Sequence, residues 1–178
     1  RKLFLRLGQS NWSKFGSRLE NTSIEEILEA AEWLAKEKRG MLVVFERQSQ
    51  LETSTLVRLD TILNADIAKE LLQTIFATDT PLHDGACLVK DGKLVAANCY
   101  INSLSEDYSI KQSFGTRHRA ALGLCEASDA VALIVSEETG AISLAYDSKL
   151  NYDLKITEIT KILESILKVT EEVKKEEN

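Results

Sequence analysis

The chain has 178 residues, of which 44% are hydrophobic and 28% are charged, and its formal net charge is −6 at pH 7. This length and apolar content are typical of one globular domain with a substantial core. The negative charge argues against broad electrostatic binding to nucleic acid, so any basic residues that matter must act locally, in a focused pocket.

The apolar residues and the cysteines also limit the class of protein. No segment reaches the roughly 18 to 20 consecutive apolar residues of a membrane-spanning helix, and no signal-peptide pattern precedes the domain. The cysteines lie in apolar surroundings without a CxxC spacing, which indicates neither a disulfide framework nor a zinc site. A reducing cytoplasm fits them best. They are Cys87, Cys99 and Cys125.

In chain order, the first segment, "RKLFLRLG", mixes basic and apolar residues, as an amphipathic surface helix or a segment beside a membrane span would. The stretch "TSIEEILEAAEWLAKEKRG" predicts a helix with Ser23 as its N-cap, Glu26 three residues later and Gly40 at its end. "MLVVFE" predicts a buried strand, and the polar stretch 47–60 predicts irregular structure. Helical spacing returns in "ADIAKELLQTIF", residues 65–76.

The second half of the chain predicts strands of both orientations between helices. "ACLVK" and "KLVAANCYI" flank Asp91-Gly92, a dipeptide favoured in tight hairpins, and a polar loop follows. Further elements are expected as a helix over 116–128, strands over 130–138 and 141–148 joined at Thr139-Gly140, and an amphipathic helix over 156–173. The pattern predicts a single α/β domain with a central mixed β-sheet flanked by helices.

The first candidate motif is "PLHDGA", residues 81–86, where a turn meets a strand. Gly85 permits unusual backbone angles or the close approach of a ligand. Asp84 can bind a divalent metal or accept a proton. An isolated Asp-Gly pair is also typical of an ordinary turn.

The second motif is "GTRHRAA", residues 115–121, at the predicted start of a helix. Unpaired N–H groups and the positive dipole end at a helix N-terminus attract anions, and arginine adds forked donors for phosphate. Cationic side chains there oppose the dipole, so their placement favours a site that an anion completes. A solvated basic turn is the alternative interpretation.

The third motif is "SEETGA", residues 136–141, at the end of an apolar strand. In an extended chain Glu137 and Glu138 point to opposite faces, so at most one is expected to reach a site. Alone, the segment is typical of a polar hairpin turn. Together, a carboxylate that can bind metal and an arginine-rich helix start favour phosphoryl or nucleotidyl transfer. The chain has neither a GxxxxGK[ST] P-loop nor a GxGxxG after a strand.

The motifs "PLHDGA", "GTRHRAA" and "SEETGAIS", in this order and spacing, resemble the bacterial diadenylate cyclase (DAC) family. Members make the second messenger cyclic di-AMP from two ATP molecules. The resemblance extends from about Leu19 to Leu150, and "RKLFLRLGQ" resembles the segment that follows the transmembrane helices in the membrane-anchored, CdaA-type enzymes. It implies a juxtamembrane segment over 1–18, a catalytic domain over 19–170 and a frayed charged tail over 171–178. It also implies a full-length protein at the cytoplasmic face of the membrane.

The resemblance also implies roles for individual residues. The catalytic residues would be Asp84, Arg117 and Arg119, and the metal would lie at Asp84, with His83 beside it. The residues that bind the nucleotide would be Leu63, Gly85, Ala86, Tyr100, Thr116, Arg117, His118, Arg119, Ser136 and Glu138, with Tyr100 packing on adenine.

The mechanism that the resemblance implies needs a homodimer, because each 3′-hydroxyl attacks the ATP held by the other subunit. The cofactor would be Mg²⁺, Mn²⁺ or Co²⁺, among which an oxygen-rich site does not choose. The chain departs from the family pattern at Asp60, at Asn64 and in the loop after Tyr100. A non-catalytic sensor of ATP or cyclic di-AMP is the alternative, although such a binder would not need the metal carboxylate Asp84.

Overall fold

The structure is a computed structural model, and it describes residues 21–51, 56–107, 110 and 113–176. The predicted segment 1–18 and the end of the predicted tail, residues 177–178, lie outside the described residues. In chain order the helices and strands are α1 (Asn21–Lys36), β1 (Met41–Phe45), β2 (Val57–Arg58), β3 (Thr61–Asp66), α2 (Lys69–Ile75), β4 (Ala86–Lys90), β5 (Lys93–Ile101), α3 (Thr116–Ala127), β6 (Val131–Val135), β7 (Ile142–Tyr146), β8 (Lys149–Asn151) and α4 (Ile156–Glu176).

The strands form one mixed sheet in the order β2-β5-β4-β1-β6-β7-β8, and β3 also pairs with β5. Strands β1 and β4 are parallel, and the other paired strands of the described residues are antiparallel. Asp91 and Gly92 both have positive φ, 48° and 74°, in the hairpin between β4 and β5. The predicted α/β domain with a mixed sheet and this hairpin are both confirmed.

Helices cover both faces of the sheet. On one face α1, α2 and α4 pack against Val43, Phe45 and neighbouring apolar side chains. On the other face α3 packs against Leu42 and Val44. Because β1 is central and covered on both faces, all five of its residues are buried, which explains its unbroken apolar run.

Several predicted elements and boundaries were wrong. Helix α1 already includes Asn21 and Thr22, so Ser23 lies inside its first turn and is not the N-cap. Residues 61–66 form strand β3, so the helix predicted over 65–76 begins only at Lys69. Strand β3 pairs with β5 alone and alternates half-buried and exposed side chains, so it lacks the apolar run of a central strand. The short strands β2, inside the stretch 47–60 predicted to be irregular, and β8 were also missed. Strand β6 ends at Val135 instead of residue 138, and α4 continues to Glu176.

The sheet brings the three candidate motifs to one edge. Parallel strands β1 and β4 begin at the edge where antiparallel strands β5 and β6 end, as the pairings Ala86 with Cys99 and Met41 with Val135 demonstrate. The motif "PLHDGA" leads into β4 and "SEETGA" follows β6. The motifs therefore meet at the amino ends of β1 and β4 and the carboxyl ends of β5 and β6, in connecting segments of the kind that carry functional side chains.

Candidate active site

A cleft of about 470 Å³ opens at this edge of the sheet, on the face that α3 covers. Its walls are the start of β4, the end of β5, the N-terminus of α3 and the turn after β6. The volume is in the range of small-molecule sites. The residues of the three motifs and of β5 that we predicted at the site and that line the cleft are Asp84, Gly85, Ala86, Tyr100, Thr116, Arg117, His118, Ser136 and Glu138.

The backbone at Gly85 places the carboxylate of Asp84 at the cleft. Gly85 has a φ of +80°, and a Cβ atom there would lie 2.5 Å from the carbonyl oxygen of Cys99 on the paired strand. Glycine is therefore required both by the left-handed conformation and by the close approach of β5. Asp84 itself is exposed and has no hydrogen-bond or ion-pair partner among the described residues. Its oxygens can accept a proton or bind a metal.

The N-terminus of α3 points its backbone N–H groups at the same cleft. Gly115 is the N-cap residue, with φ −72° and ψ 179°, and no side chain caps the helix. The first turn carries no acidic residue, and Thr116 adds an exposed hydroxyl. Uncapped N–H groups and the helix dipole together favour an anion at this position.

Three consecutive side chains at this helix start each have a buried nitrogen that lacks a hydrogen-bond partner among the described residues. These atoms are Nε of Arg117, Nε2 of His118 and Nε of Arg119. Buried polar atoms in native proteins are almost always hydrogen-bonded, so the two that belong to cleft-lining residues, on Arg117 and His118, indicate a ligand that accepts hydrogen bonds. Phosphate oxygens are such acceptors.

His118 is held by aromatic side chains. It is buried, with its ring centroid 5.1 Å from that of Phe114 and 6.1 Å from that of Tyr152. Burial lowers the pKa of His118 below its ordinary value, because the imidazolium form would lose its hydration. The neutral ring has one donor and one acceptor nitrogen, so Nε2 of His118, which has no partner among the described residues, can form one directed hydrogen bond to a ligand.

The turn after β6 brings both of its glutamates to the cleft. The hydroxyl oxygen of Ser136 accepts hydrogen bonds from the backbone N–H groups of Glu138 and Thr139, at 3.3 and 3.2 Å. Strand β6 ends at Val135, so residues 137–139 turn instead of extending. Both Glu137 and Glu138 line the cleft. The expectation that at most one of them would reach it, which rested on an extended backbone, was wrong.

A family model places the chain among known proteins. Residues 28–150 match the DAC family, described as "DisA bacterial checkpoint controller nucleotide-binding". This match covers more than half of the chain. The chain belongs to the DAC family.

Relatives of this DAC domain are named for the same activity, the synthesis of cyclic di-AMP. It is 37% identical over 172 residues to the protein named cyclic di-AMP synthase CdaA of Bacillus subtilis, with 94% of this chain and 62% of the relative covered. It is 38% identical over 161 residues to a diadenylate cyclase of Listeria monocytogenes, covering 88% of this chain and 58% of the relative. The chain thus spans about three fifths of the length of these relatives.

Two solved structures share the fold of this DAC domain. A double mutant of DacA from Staphylococcus aureus is similar with a TM-score of 0.77 and 38% identity, over 85% of this chain and 99% of that one. A Bacillus cereus structure described as a hypothetical membrane spanning protein gives a TM-score of 0.70 and 42% identity, over 75% and 64%. Within the described part of the present chain, no helix has the length and apolar character needed to cross a membrane.

Three of the predicted site residues do not line the cleft of this DAC domain. Leu63 packs against the core on the opposite face of the sheet, with α1 and α2, because the side chains of β3 alternate between faces. His83 lies one residue before the cleft wall, and its Nδ1 contacts the carbonyl oxygen of Thr80. Arg119 is half-buried in the first turns of α3, outside the lining residues.

Sequence reasoning missed several cleft residues of the DAC domain. Arg58 lies with its guanidinium 5.2 Å from the centre of the Tyr100 ring and forms two hydrogen bonds to Asp60, of 2.8 and 3.0 Å. Hydrogen bonding to Arg58 lowers the pKa of Asp60. Phe114 and Tyr152 form an aromatic wall, with centroids 5.0 Å apart. Asp60 was noted only as a departure from the family, and Arg58 lies in a polar stretch without periodicity.

The described residues contain no group of three or more His, Cys, Asp or Glu side chains that could hold a metal ion. Asp84 is nevertheless an exposed carboxylate without a partner, at the mouth of a cleft that also offers anion-binding N–H groups. Mg²⁺ is commonly held by one or two carboxylates together with substrate phosphates. This donor set therefore fits a divalent ion that a triphosphate shares with the protein, and it does not fit a site built from side chains alone.

Proposed function

We propose that this chain is the catalytic domain of a diadenylate cyclase, a nucleotidyltransferase that converts two ATP molecules into cyclic di-AMP and two diphosphates. The observation that carries the proposal is the pair of unpartnered nitrogens on Arg117 and His118, which line the cleft together with the exposed carboxylate of Asp84. These groups supply what nucleotidyl transfer requires: donors for phosphate charge and an acceptor for the hydroxyl proton. Membership of the DAC family and the names of the relatives support the same reaction.

In the proposed reaction the 3′-hydroxyl oxygen of each ATP attacks the α-phosphorus of the other. A new O–P bond forms, the bond from the α-phosphorus to the β-phosphate oxygen breaks, and diphosphate leaves with that electron pair. The hydroxyl proton passes to Asp84 or to water. Two such events close the ring, so atoms and charge balance for two ATP molecules.

The proposed roles follow from where the side chains lie. The N–H groups of α3, with Thr116, Arg117 and His118, bind the triphosphate and stabilise the departing diphosphate. Tyr100 is 56% exposed at the cleft and offers a ring face on which adenine can stack. Ser136 and Glu138 line the cleft from the turn after β6.

A divalent ion, Mg²⁺, Mn²⁺ or Co²⁺, completes the proposal, and Asp84 would hold it together with the phosphates. Such an ion neutralises phosphate charge and lowers the pKa of a bound hydroxyl. His83 keeps its Nε2 for a ligand, since its Nδ1 contacts the Thr80 carbonyl oxygen. We retain His83 as the second candidate ligand, after Asp84.

The proposed reaction needs two such clefts face to face, so we propose a homodimer as the catalytic form. The cleft of about 470 Å³ suits one nucleotide, and the cyclic product contains two. Alignment of two bound substrates converts a bimolecular step into an effectively unimolecular one, which is a large part of the expected rate gain. We also propose that the full-length protein acts at the cytoplasmic face of the membrane. The similarity to the B. cereus protein, which is described as membrane spanning, supports this location.

The test is incubation of the purified chain with ATP and Mn²⁺, Mg²⁺ or Co²⁺, followed by chromatography with mass detection. Cyclic di-AMP and diphosphate in a 1:2 ratio are expected, with specific activity that rises with protein concentration. The matched control is 3′-deoxy-ATP, which binds the same groups but cannot form the ring. Absence of cyclic di-AMP at every metal and protein concentration would refute the cyclase, and ATP binding without turnover would establish a sensor instead.

A further inference from the structure

The guanidinium group of Arg117 is enclosed by three parts of the protein that are distant in sequence. Its Nη1 donates to Oε2 of Glu137 at 2.6 Å, and its Nη2 donates to the carbonyl oxygen of His83 at 3.1 Å. Its third contact is Gly40, immediately before β1. We call Gly40, the His83 carbonyl and Glu137 the Arg117 clamp. The side chain of Arg117 is only 19% exposed, whereas that of Glu137 is 64% exposed.

Gly40 makes space for this group specifically. A Cβ atom at Gly40 would lie 2.3 Å from Nη1 and 2.9 Å from Cζ of Arg117, and 2.9 Å from Oε2 of Glu137. These three nearest atoms all belong to the ion pair, and none is a backbone atom. Carbon and nitrogen atoms in contact normally stay more than 3 Å apart, so any side chain at Gly40 displaces the guanidinium. Glycine at this position therefore leaves free the space that the guanidinium occupies.

The clamp leaves a defined part of Arg117 for a ligand. One hydrogen on each Nη is used by the protein, while Nε has no partner among the described residues. The guanidinium is a rigid planar fork, so fixing both Nη atoms also fixes the direction of Nε–H. The bond to His83, the residue before Asp84, further ties Arg117 to the loop that carries the candidate carboxylate.

We propose that Glu137 and Gly40 are positioning residues, which hold Arg117 so that its remaining donors face the triphosphate and its Nη2 orders the loop before Asp84. This proposal rests on the proposed function, because it assigns Arg117 a phosphate of ATP as its ligand. Glu137 also neutralises Arg117 in part, which makes the cationic helix start less unfavourable before a nucleotide arrives.

The first test compares Glu137→Gln with Glu25→Gln. Both remove one negative charge, but Glu25 is exposed on α1, on the opposite face of the sheet. Because Glu137 is mostly exposed, we expect a moderate effect: about a tenfold loss in kcat/KM and a comparable rise in the Kd of 3′-deoxy-ATP. Glu25→Gln should match the parent in both. Tighter ATP binding by Glu137→Gln would overturn the proposal, because it would make Glu137 a competitor of the phosphate.

The second test is a double-mutant cycle between Gly40→Ala and Arg117→Ala, read out as the Kd of 3′-deoxy-ATP. In the parent background Gly40→Ala should raise Kd by at least about tenfold, because the guanidinium is displaced. In the Arg117→Ala background it should change Kd by less than about twofold, since only the mostly exposed carboxylate of Glu137 remains to be displaced. Equal effects in both backgrounds would overturn the clamp. Thermal unfolding of each variant reports any loss of fold.

The tests separate the clamp from the cyclase activity. If the parent makes no cyclic di-AMP, the proposed function fails, while the Kd values still report on the clamp. If the parent is active but Glu137→Gln and Gly40→Ala keep parental kcat, KM and Kd, the clamp fails and the cyclase stands.

Discussion

Replacement of Asp84 by asparagine should leave the stability of the fold almost unchanged and greatly reduce the rate of the proposed reaction. Asp84 is exposed and has no partner among the described residues, so the nearly isosteric amide removes no contact within them. Surface substitutions of this kind change the free energy of unfolding by no more than about 0.5 kcal/mol. For a domain of this size that corresponds to a shift in Tm of less than about 2 °C.

The effect of Asp84→Asn on turnover should be large. The amide can neither accept the hydroxyl proton nor bind a divalent ion as a carboxylate does. A positioned general base contributes about 10²- to 10⁴-fold, so kcat for cyclic di-AMP should fall by at least about 100-fold. The Kd of 3′-deoxy-ATP, measured without metal by calorimetry, should stay within about threefold, because the phosphate donors lie on α3.

The matched control is Asp91→Asn, at the other end of the same strand. Asp91 has a φ of 48°, a conformation that asparagine also tolerates, so the hairpin is kept. The five residues of β4 lie between it and Asp84, which places the two roughly 15 Å or more apart. It should retain parental kcat. If Asp84→Asn keeps kcat within about tenfold of the parent, Asp84 has no part in the reaction, and a Tm lowered by several degrees would contradict its exposed position.

Three other substitutions test the packing around the site. Gly85→Ala should destabilise the fold by about 2–4 kcal/mol in urea unfolding, from the positive φ and the 2.5 Å approach to the Cys99 carbonyl oxygen; parental stability would contradict this geometry. Tyr100→Ala should raise KM for ATP about tenfold with little change in Tm, and an unchanged KM would exclude stacking. Because burial lowers the pKa of His118, the unfolded chain gains the proton first as pH falls below about 6.5, and stability is lost. The Tm of His118→Gln should therefore fall less between pH 7 and pH 5 than the Tm of the parent. Equal decreases would contradict a lowered pKa of His118.

Sequence patterns predicted the strands that are buried in the core. Central strands such as β1 and β6 are buried on both faces, so an unbroken apolar run identifies them. Strand β3 was missed because it pairs only with β5 and exposes every second side chain, including Ile62, which is 56% exposed. Residues 61–66 form a strand because they pair with β5. A short stretch of sequence around them carries no signal of that pairing.

The residues of the candidate site could be predicted where a sequence motif lies at the end of a strand or helix. They could not be predicted where residues distant in sequence are brought together only by the fold. Asp84 and Thr116 were found because a turn residue and a helix start each have their own local signal. Arg58 lies in a two-residue strand, and its position over Tyr100 depends on pairing with β5. Tyr152 reaches the cleft from the segment after β8, although it lies 34 residues beyond His118, whose ring it approaches.

The motif at the start of α3 contains residues that need not share one role. Successive residues of an α-helix are rotated by about 100°, so Arg117 and Arg119 point roughly 200° apart. The structure agrees, because Arg117 and His118 line the cleft and Arg119 does not. Yet Nε of Arg119 is as buried and as unpartnered as Nε of Arg117 among the described residues. The proposed contact with phosphate therefore applies to Arg117, which lines the cleft, whereas Arg119 lies outside the lining residues and its role requires a separate substitution.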